Sequence, residues 1–467
     1  MTEIPLYSPA AVRPPLDRLE RRPVLRRWTM LKAVWRARRN LLEMFHPGIQ
    51  ARPWHVDDLG MMRLITVNDP GFARHVLSEN AANYAKGPMY AALLGDFLGE
   101  NASLLLNGEA ARTRRRLLAP AFNARALRRL EKVIAREVQA TVARWRAAGG
   151  EIALSDEAAM LAMRVAMEAF FSASLGARAA GLARLLDRTM TEAGTPSMAD
   201  IMELPGWVPR RSRARVRALV AELDRELYAL IDERRARASG DPGPEADLLD
   251  LLVTARDGET GRPLSREEVR NEVATLFIAG HETTALSLVW GLDRLAREPA
   301  LQDRLADPWA AARRRLGRPF TAEEARALPL LPETYDEMLR LYPPVFAVAR
   351  AALGPDRWKD VEIRAGDRVQ IAMFMLHRAS ALWDAPETFD PERFREARHP
   401  AFAFLPFGGG PRICLGMGVA KTEAHLLIAE ALAAFRLRPV GPPPEPMGKI
   451  TLRTAAPVRL RLDCRDG

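Results

Sequence analysis

Cys414 is the residue whose type and setting most clearly point to chemistry. It lies in Phe407-Gly-Gly-Gly-Pro-Arg-Ile-Cys414-Leu-Gly416 and is one of only two cysteines, the other being Cys464. A cysteine taken alone is more often a small buried hydrophobe than a ligand. A glycine-rich run can also cradle phosphate, but no Gly-Lys-Ser/Thr follows here, which argues against a nucleotide loop. Gly408 to Gly410 allow the tight backbone that a chain passing beside a flat cofactor needs. Cys414 then falls at the entrance of a helix, where the dipole and free N–H groups stabilise a thiolate. Donors aimed at the sulfur would tune a bound metal. The predicted chemistry is metal ligation by Cys414.

Two further constellations stand apart from this loop. Ala279-Gly-His-Glu282-Thr283-Thr284 places an acid beside an alcohol inside an apolar helical stretch. His281-Glu282 is not a zinc-protease signature, because position 285 is alanine rather than histidine. A helix threonine commonly bonds its own backbone, while Gly280 costs about 1 kcal/mol relative to alanine and so needs a reason. Glu337-Met-Leu-Arg340 is an i,i+3 pair, by itself worth about 0.2–0.5 kcal/mol at a surface. Pro391-Glu-Arg393-Phe394 supplies a second arginine downstream.

Together these segments resemble the cytochrome P450 family, of the soluble bacterial type. The loop carries its Phe407, Gly408, Arg412, Cys414 and Gly416, and the other motifs follow the family's order from about Asn83 to Phe435. The resemblance implies a mainly α fold with small β-sheets (α+β), the haem lying between the long central helix and the Cys-loop helix. It implies a haem-thiolate monooxygenase inserting one atom of O2 into an apolar organic substrate. The cofactor is haem b (iron protoporphyrin IX), with Cys414 as axial metal ligand. Thr283 would hydrogen-bond dioxygen and Glu282 relay protons, beside a local opening of the helix. Push of electron density from the thiolate assists O–O cleavage. Glu337, Arg340 and Arg393 would form a buried triad locking the loop.

The resemblance nominates Arg412, Arg350, Arg115 and Lys86 for the haem propionates, and Phe407 as a further haem-loop contact. Arg115 follows Gly108-Glu-Ala-Ala111, where the family usually has tryptophan in place of Ala111, so Arg114 and Arg116 stay open as propionate partners. The chain carries no recognisable flavin- or nicotinamide-binding segment. Its electrons are therefore expected from an external ferredoxin or flavodoxin-type donor with a reductase, docking on a basic surface that includes Lys421.

These residues need elements to position them. Ser265-Arg-Glu-Glu268 reads as a capping box opening a helix to about Glu298, roughly 50 Å long at 1.5 Å per residue and apolar on nearly every face, hence buried. A helix through Tyr335–Leu341 stops before Pro343-Pro344. Val361–Ile363 and Val369–Ile371 read as strands around a Gly366-Asp367 turn. A last helix runs from Cys414 to about Phe435. Met89, Tyr90, Leu93, Phe97, Met190, Met198, Met202 and Trp207 offer apolar surface to core or substrate.

The 467 residues read as one domain, with 1–45 as an N-terminal extension. Val24, Trp28, Leu31, Trp35 and Leu42 make one apolar stripe in it, better suited to packing on the body than to lying on a membrane. No run reaches the roughly 20 apolar residues of a membrane span. Lys and Arg number 69 against 59 Asp and Glu, a formal charge of +10. Arginines are scattered over helices without a nucleic-acid motif, so a solvated basic face is expected and nucleic acid is not. Two cysteines exclude a disulfide framework and suit a cytoplasmic setting. A monomer is expected.

Overall fold

The computed structural model describes residues 40–45, 52–58, 62–171, 178–193, 211–237, 246–257, 259–396 and 399–465. The helices that build the site are α1 (Pro88–Leu98), α2 (Gly108–Leu118), α3 (Ala124–Ala148), α4 (Leu154–Phe171), α5 (Ala179–Ala193), α6 (Arg211–Arg237), α7 (Arg266–Ala296), α8 (Leu331–Leu341) and α9 (Met417–Ala434). Helix α7 is the axle. Ser265 accepts from the Glu268 N–H while Glu268 reaches back to the Ser265 N–H, the reciprocal box expected from the sequence. Its 31 residues are long and apolar enough to cross a membrane, yet 61% of the most apolar window is buried inside the protein. Packing against α4, α6, α8 and α9 accounts for that apolarity.

The strands are short: β1 (Trp54–Asp58), β2 (Arg63–Val67), β3 (Tyr84–Ala85), β4 (Gly150–Ile152), β5 (Val348–Ala352), β6 (Asp356–Trp358), β7 (Val361–Ile363), β8 (Arg368–Ile371), β9 (Phe435–Val440), β10 (Pro446–Gly448), β11 (Leu452–Thr454) and β12 (Arg459–Cys464). The largest sheet has the order β1-β2-β8-β5-β3, and a second joins β4, β12 and β9. The fold is mainly α with small sheets.

Several boundaries differ from the expectation. The strands on either side of Gly366 do not pair with each other. β7 pairs with β6, whereas β8 lies parallel to β2 and antiparallel to β5. Period-two patterning marks a strand but not its partner. Helix α8 starts four residues earlier than Tyr335, at Leu331. Cys414 precedes α9 rather than beginning it, because a 3-10 turn over Gly410–Arg412 and the cap at Gly416 delay the helix to Met417. Of the N-terminal stripe only Leu42 is described; it is buried in a short 3-10 turn. Val24, Trp28, Leu31 and Trp35 lie outside the described residues, as do Met198, Met202 and Trp207.

Candidate active site

The Cys414 loop is clamped from both sides. Gly410 takes φ +66°, and a Cβ there would stand 1.9 Å from the Leu77 carbonyl oxygen; one on Gly409 would meet the Phe402 ring at 2.7 Å. Glycine at both positions lets the loop press onto its neighbours. The Cys414 N–H donates to the Phe407 carbonyl at 2.9 Å, and Phe407 packs on the core beneath Lys421, whose ammonium is 5.9 Å from the ring centre. The Cys414 side chain is accessible although set deep in the protein. Burial pushes its thiol up, while the N–H groups of Gly416 and Met417 and the charge of Arg115 pull it down. These are the donors a thiolate at a helix entrance needs.

Four cations gather on one side of this loop. Lys86 Nζ donates to the Leu104 carbonyl and Arg412 donates to Ser103 and Leu106 carbonyls. Arg115 reaches the Ile413 carbonyl at 2.7 Å and Arg350 the Ala349 carbonyl at 2.9 Å. None of the four forms an ion pair with a carboxylate among the described residues. Burial, then the neighbouring Arg350 and Arg115, brings Arg412 down to about 10. Lys86 falls well below its ordinary value through burial, then through Arg412, Arg350 and Arg115. Buried like charges without an acid mark a site built for an anion brought in by a ligand.

Arg114 and Arg116 are drawn elsewhere. Arg114 pairs with Glu272 and Glu268 of α7, each at 2.6 Å, and so ties α2 to α7. Arg116 meets Glu109 and Glu259 at the surface. Ala111 is buried and offers no side-chain donor. Arg115 is therefore the arginine of this trio that stays with the other three cations. Lys421, expected on the docking surface, is paired with Asp336 at 2.9 Å and half-buried.

Helix α7 runs unbroken through Gly280, where the local opening was expected. Thr283 Oγ1 donates to the Ala279 carbonyl at 2.6 Å, the ordinary bond of a helix threonine, and the ladder closes around it. Ala279 and Gly280 are nevertheless exposed, and a Cβ on Gly280 would meet nothing within 4 Å. Open space thus adjoins Thr283. Glu282 is not free: its Oε1 accepts from Thr451 Oγ1 at 2.8 Å and Arg453 Nε at 2.7 Å. Among the apolar candidates, Phe97 is core, Leu93 packs against it, and the Tyr90 hydroxyl accepts from the Ala349 N–H.

The triad is formed. Arg340 grips Glu337 through Nε at 2.6 Å and Nη2 at 2.8 Å, and Arg393 Nε donates to Glu337 Oε1 at 3.1 Å. Arg340 also donates to the carbonyls of His377 and Pro386, both at 2.7 Å. His377 is a residue the motifs did not reveal. Its Nε2 accepts from the Leu405 N–H at 2.9 Å, and the Leu405 carbonyl accepts from the Gly408 N–H at 3.0 Å. A hydrogen-bonded path thus joins the triad to the cysteine loop.

Burial, then Arg340 and Arg378, depress His377 to about 3. The unfolded chain therefore takes up a proton near pH 6.5 that the folded protein refuses until about pH 3. This contribution makes stability fall as pH drops through that window. Denaturant midpoints measured at pH 7.5 and 5.5 should show a smaller difference in His377→Gln than in the parent; an equal difference would remove His377 from the account.

Among the described residues no group of three or more His, Cys, Asp or Glu is arranged to hold a metal ion. A single thiol can hold iron only if a cofactor brings the remaining donors. A cofactor carrying two carboxylates would meet the four unpaired cations, so the residues fit haem.

Comparison with known proteins agrees. The cytochrome P450 family model matches residues 25–461. Cyclooctatin synthase of Streptomyces melanosporofaciens is 32% identical over 75% of this chain and 75% of its own length. Cyclooctat-9-en-7-ol 5-monooxygenase from the same organism is 32% identical over 82% of each chain. The retinoic acid-bound cyanobacterial CYP120A1 structure superposes with a TM-score of 0.76 at 26% identity, covering 88% of this chain and 92% of that one. An accessible thiol in a glycine-clamped loop, four unpaired cations beside it and a family match along nearly the whole chain make this protein a member of the cytochrome P450 family, a haem-thiolate monooxygenase that draws its electrons from a redox partner.

Proposed function

We propose that Cys414 is the axial thiolate of a haem b whose propionates are held by Arg115, Arg350, Arg412 and Lys86. The observation that carries this reading is the cluster of four cations without an acid partner beside an accessible, deeply set thiol. Phe407 supports the loop through its carbonyl and its ring. When bound, the haem supplies oxygen activation: substrate, O2, two electrons and two protons yield hydroxylated product and water. The protein's own part is positioning and proton access. Glu282 hands protons inward from its carboxylate, and the Thr283 hydroxyl, now donating to Ala279, rotates to serve the reacting oxygen. The substrate is an apolar organic compound. Two relatives are named for cyclooctatin and cyclooctat-9-en-7-ol, so compounds of that kind head a ligand screen read by the haem spin state.

The donor is a ferredoxin or flavodoxin-type protein, drawn to a basic surface; a reduction rate indifferent to ionic strength would count against electrostatic docking. The protein works as a monomer, in one domain comprising residues 1–467 with 1–45 as an extension. A cytoplasmic, reducing setting suits its two free thiols.

The test is oxygen-driven turnover. General acid catalysis contributes about 10²–10⁴-fold, so Glu282→Gln and Thr283→Val should each slow product formation by at least about tenfold. Electrons should be diverted to peroxide while the thiolate spectrum is retained. Unchanged coupling in both variants overturns their assigned roles.

A further inference from the structure

The C-terminal hairpin reaches across the fold to the one acid of the oxygen-side motif. Strands β10 and β11 pair through Gly448 and Leu452, with Lys449–Thr451 as the turn. Thr451, the last turn residue, and Arg453 of β11 both reach Glu282, while Leu452 between them points the other way into the core. Leu452 is fully buried, its N–H donating to the Pro344 carbonyl at 2.8 Å and its carbonyl accepting from Trp290 Nε1 at 2.9 Å. Asn40 pins β10, donating to the Pro446 carbonyl at 3.0 Å and accepting from the Gly448 N–H at 2.7 Å. The hairpin is therefore fixed relative to α7, which it meets at Glu282 and again at Trp290.

We infer that Thr451 and Arg453 are positioning residues for proton delivery, holding the Glu282 carboxylate as a latched group whose release precedes each proton transfer. This rests on the reading of Glu282 as the proton donor. All the contacts fall on one oxygen: Oε1 accepts from Thr451 Oγ1 and Arg453 Nε, and the Arg453 Nη2 lies 2.5 Å from it in the same ion pair. Oε2 takes no hydrogen bond among the described residues, which makes it the oxygen where a transferable proton can sit.

The surrounding charges have one sign. Lys449, in the turn, is lowered by burial and then by Arg453, so it lies beside that arginine. On α7 itself, His281 is turned away, its Nε2 lying 3.1 Å from the Ala159 carbonyl. No second acid is paired with Arg453 among the described residues. Removing Arg453 leaves Thr451 as the one side chain bonded to Glu282 among the described residues, so the latch opens more easily.

The test compares Arg453→Gln, Arg453→Lys, Thr451→Val and Glu282→Gln as haem-loaded proteins, each first confirmed by its thiolate spectrum. If Arg453→Gln loses that spectrum, Arg453→Lys and Thr451→Val carry the comparison, since both preserve the hairpin. Expected for Arg453→Gln is a solvent isotope effect reduced towards one and a two- to fivefold change in peroxide formed per electron pair. Arg453→Lys should lie between it and the parent, and Thr451→Val should move the same way by less. Thermal melting gives the readout independent of turnover: the Glu282→Gln/Arg453→Gln double variant should melt near the lower of the two single variants rather than at their summed loss. If Glu282→Gln changes the isotope effect and peroxide but Arg453→Gln matches the parent and melting losses simply add, the latch is wrong and Glu282 keeps its role. If Glu282→Gln itself leaves isotope effect and peroxide unchanged, the proton-donor reading and the latch fall together.

Discussion

Arg340→Leu should give a chain that does not retain haem and unfolds at much lower denaturant than the parent. The Arg340 and Glu337 side chains are fully buried and that of Arg393 is nearly so. Removing Arg340 leaves Glu337 Oε2 without its arginine and strands the carbonyls of His377 and Pro386, while Arg393 keeps Glu337 Oε1 and the Thr388 carbonyl. Breaking one partner of a buried ion network costs about 3–5 kcal/mol, a large part of the roughly 5–15 kcal/mol that holds a domain together. The path from Arg340 through His377 and Leu405 to Gly408 then carries the damage to the cysteine loop. Arg340→Lys keeps the charge but not the planar fork and should rescue little. Haem per polypeptide and urea midpoints measure both effects. Parent-like values for Arg340→Leu would show that the triad is dispensable.

Cys414→Ala should act in the opposite way, leaving the fold while abolishing the chemistry. The thiol is accessible and contributes little packing, and the bond from the residue-414 N–H to the Phe407 carbonyl does not depend on the side chain. The reduced, carbon monoxide-treated variant should lack the thiolate-haem absorption, and oxygen-driven turnover should fall to the level of a protein-free control. Circular dichroism and melting should stay close to the parent. Cys464→Ala, on the exposed end of β12, serves as the control and should change neither. Retention of the thiolate spectrum by Cys414→Ala would assign the ligand elsewhere.

What could be read from the sequence shares one property: its geometry is local. Ser265 and Glu268 cap the same turn, Glu337 and Arg340 lie three apart, and the glycines of the cysteine loop act within a few residues. Local spacing fixes which side chains share a face, so these features were visible without coordinates. The partners of Glu282 lie 169 and 171 residues downstream in a hairpin with no motif of its own. Arg114 could be told from Arg115 only by the acids that α7 presents, at 154 and 158 residues' separation. His377 carries no signal in its neighbours, because its role depends on Leu405 arriving from another segment. The pairing of β8 with β2, rather than with the strand just before it, likewise follows from topology.

Asn40 also bears on how the chain comes to its native state. It bonds to Pro446 and Gly448, 406 and 408 residues later. A ribosome adding roughly 5–20 residues per second needs about 20–80 s to span that interval. Leu42, which packs against Gly448, waits equally long for its cover. The seam between the beginning of the described chain and the C-terminal hairpin therefore closes late, after the helices have had time to associate and shortly before β12 joins β4 and β9. During that delay Trp290 Nε1 and Glu282 lack their hairpin partners, so truncation or stalling just short of residue 446, which also removes β12 from its sheet, should yield a helical body vulnerable to chaperone capture and proteolysis.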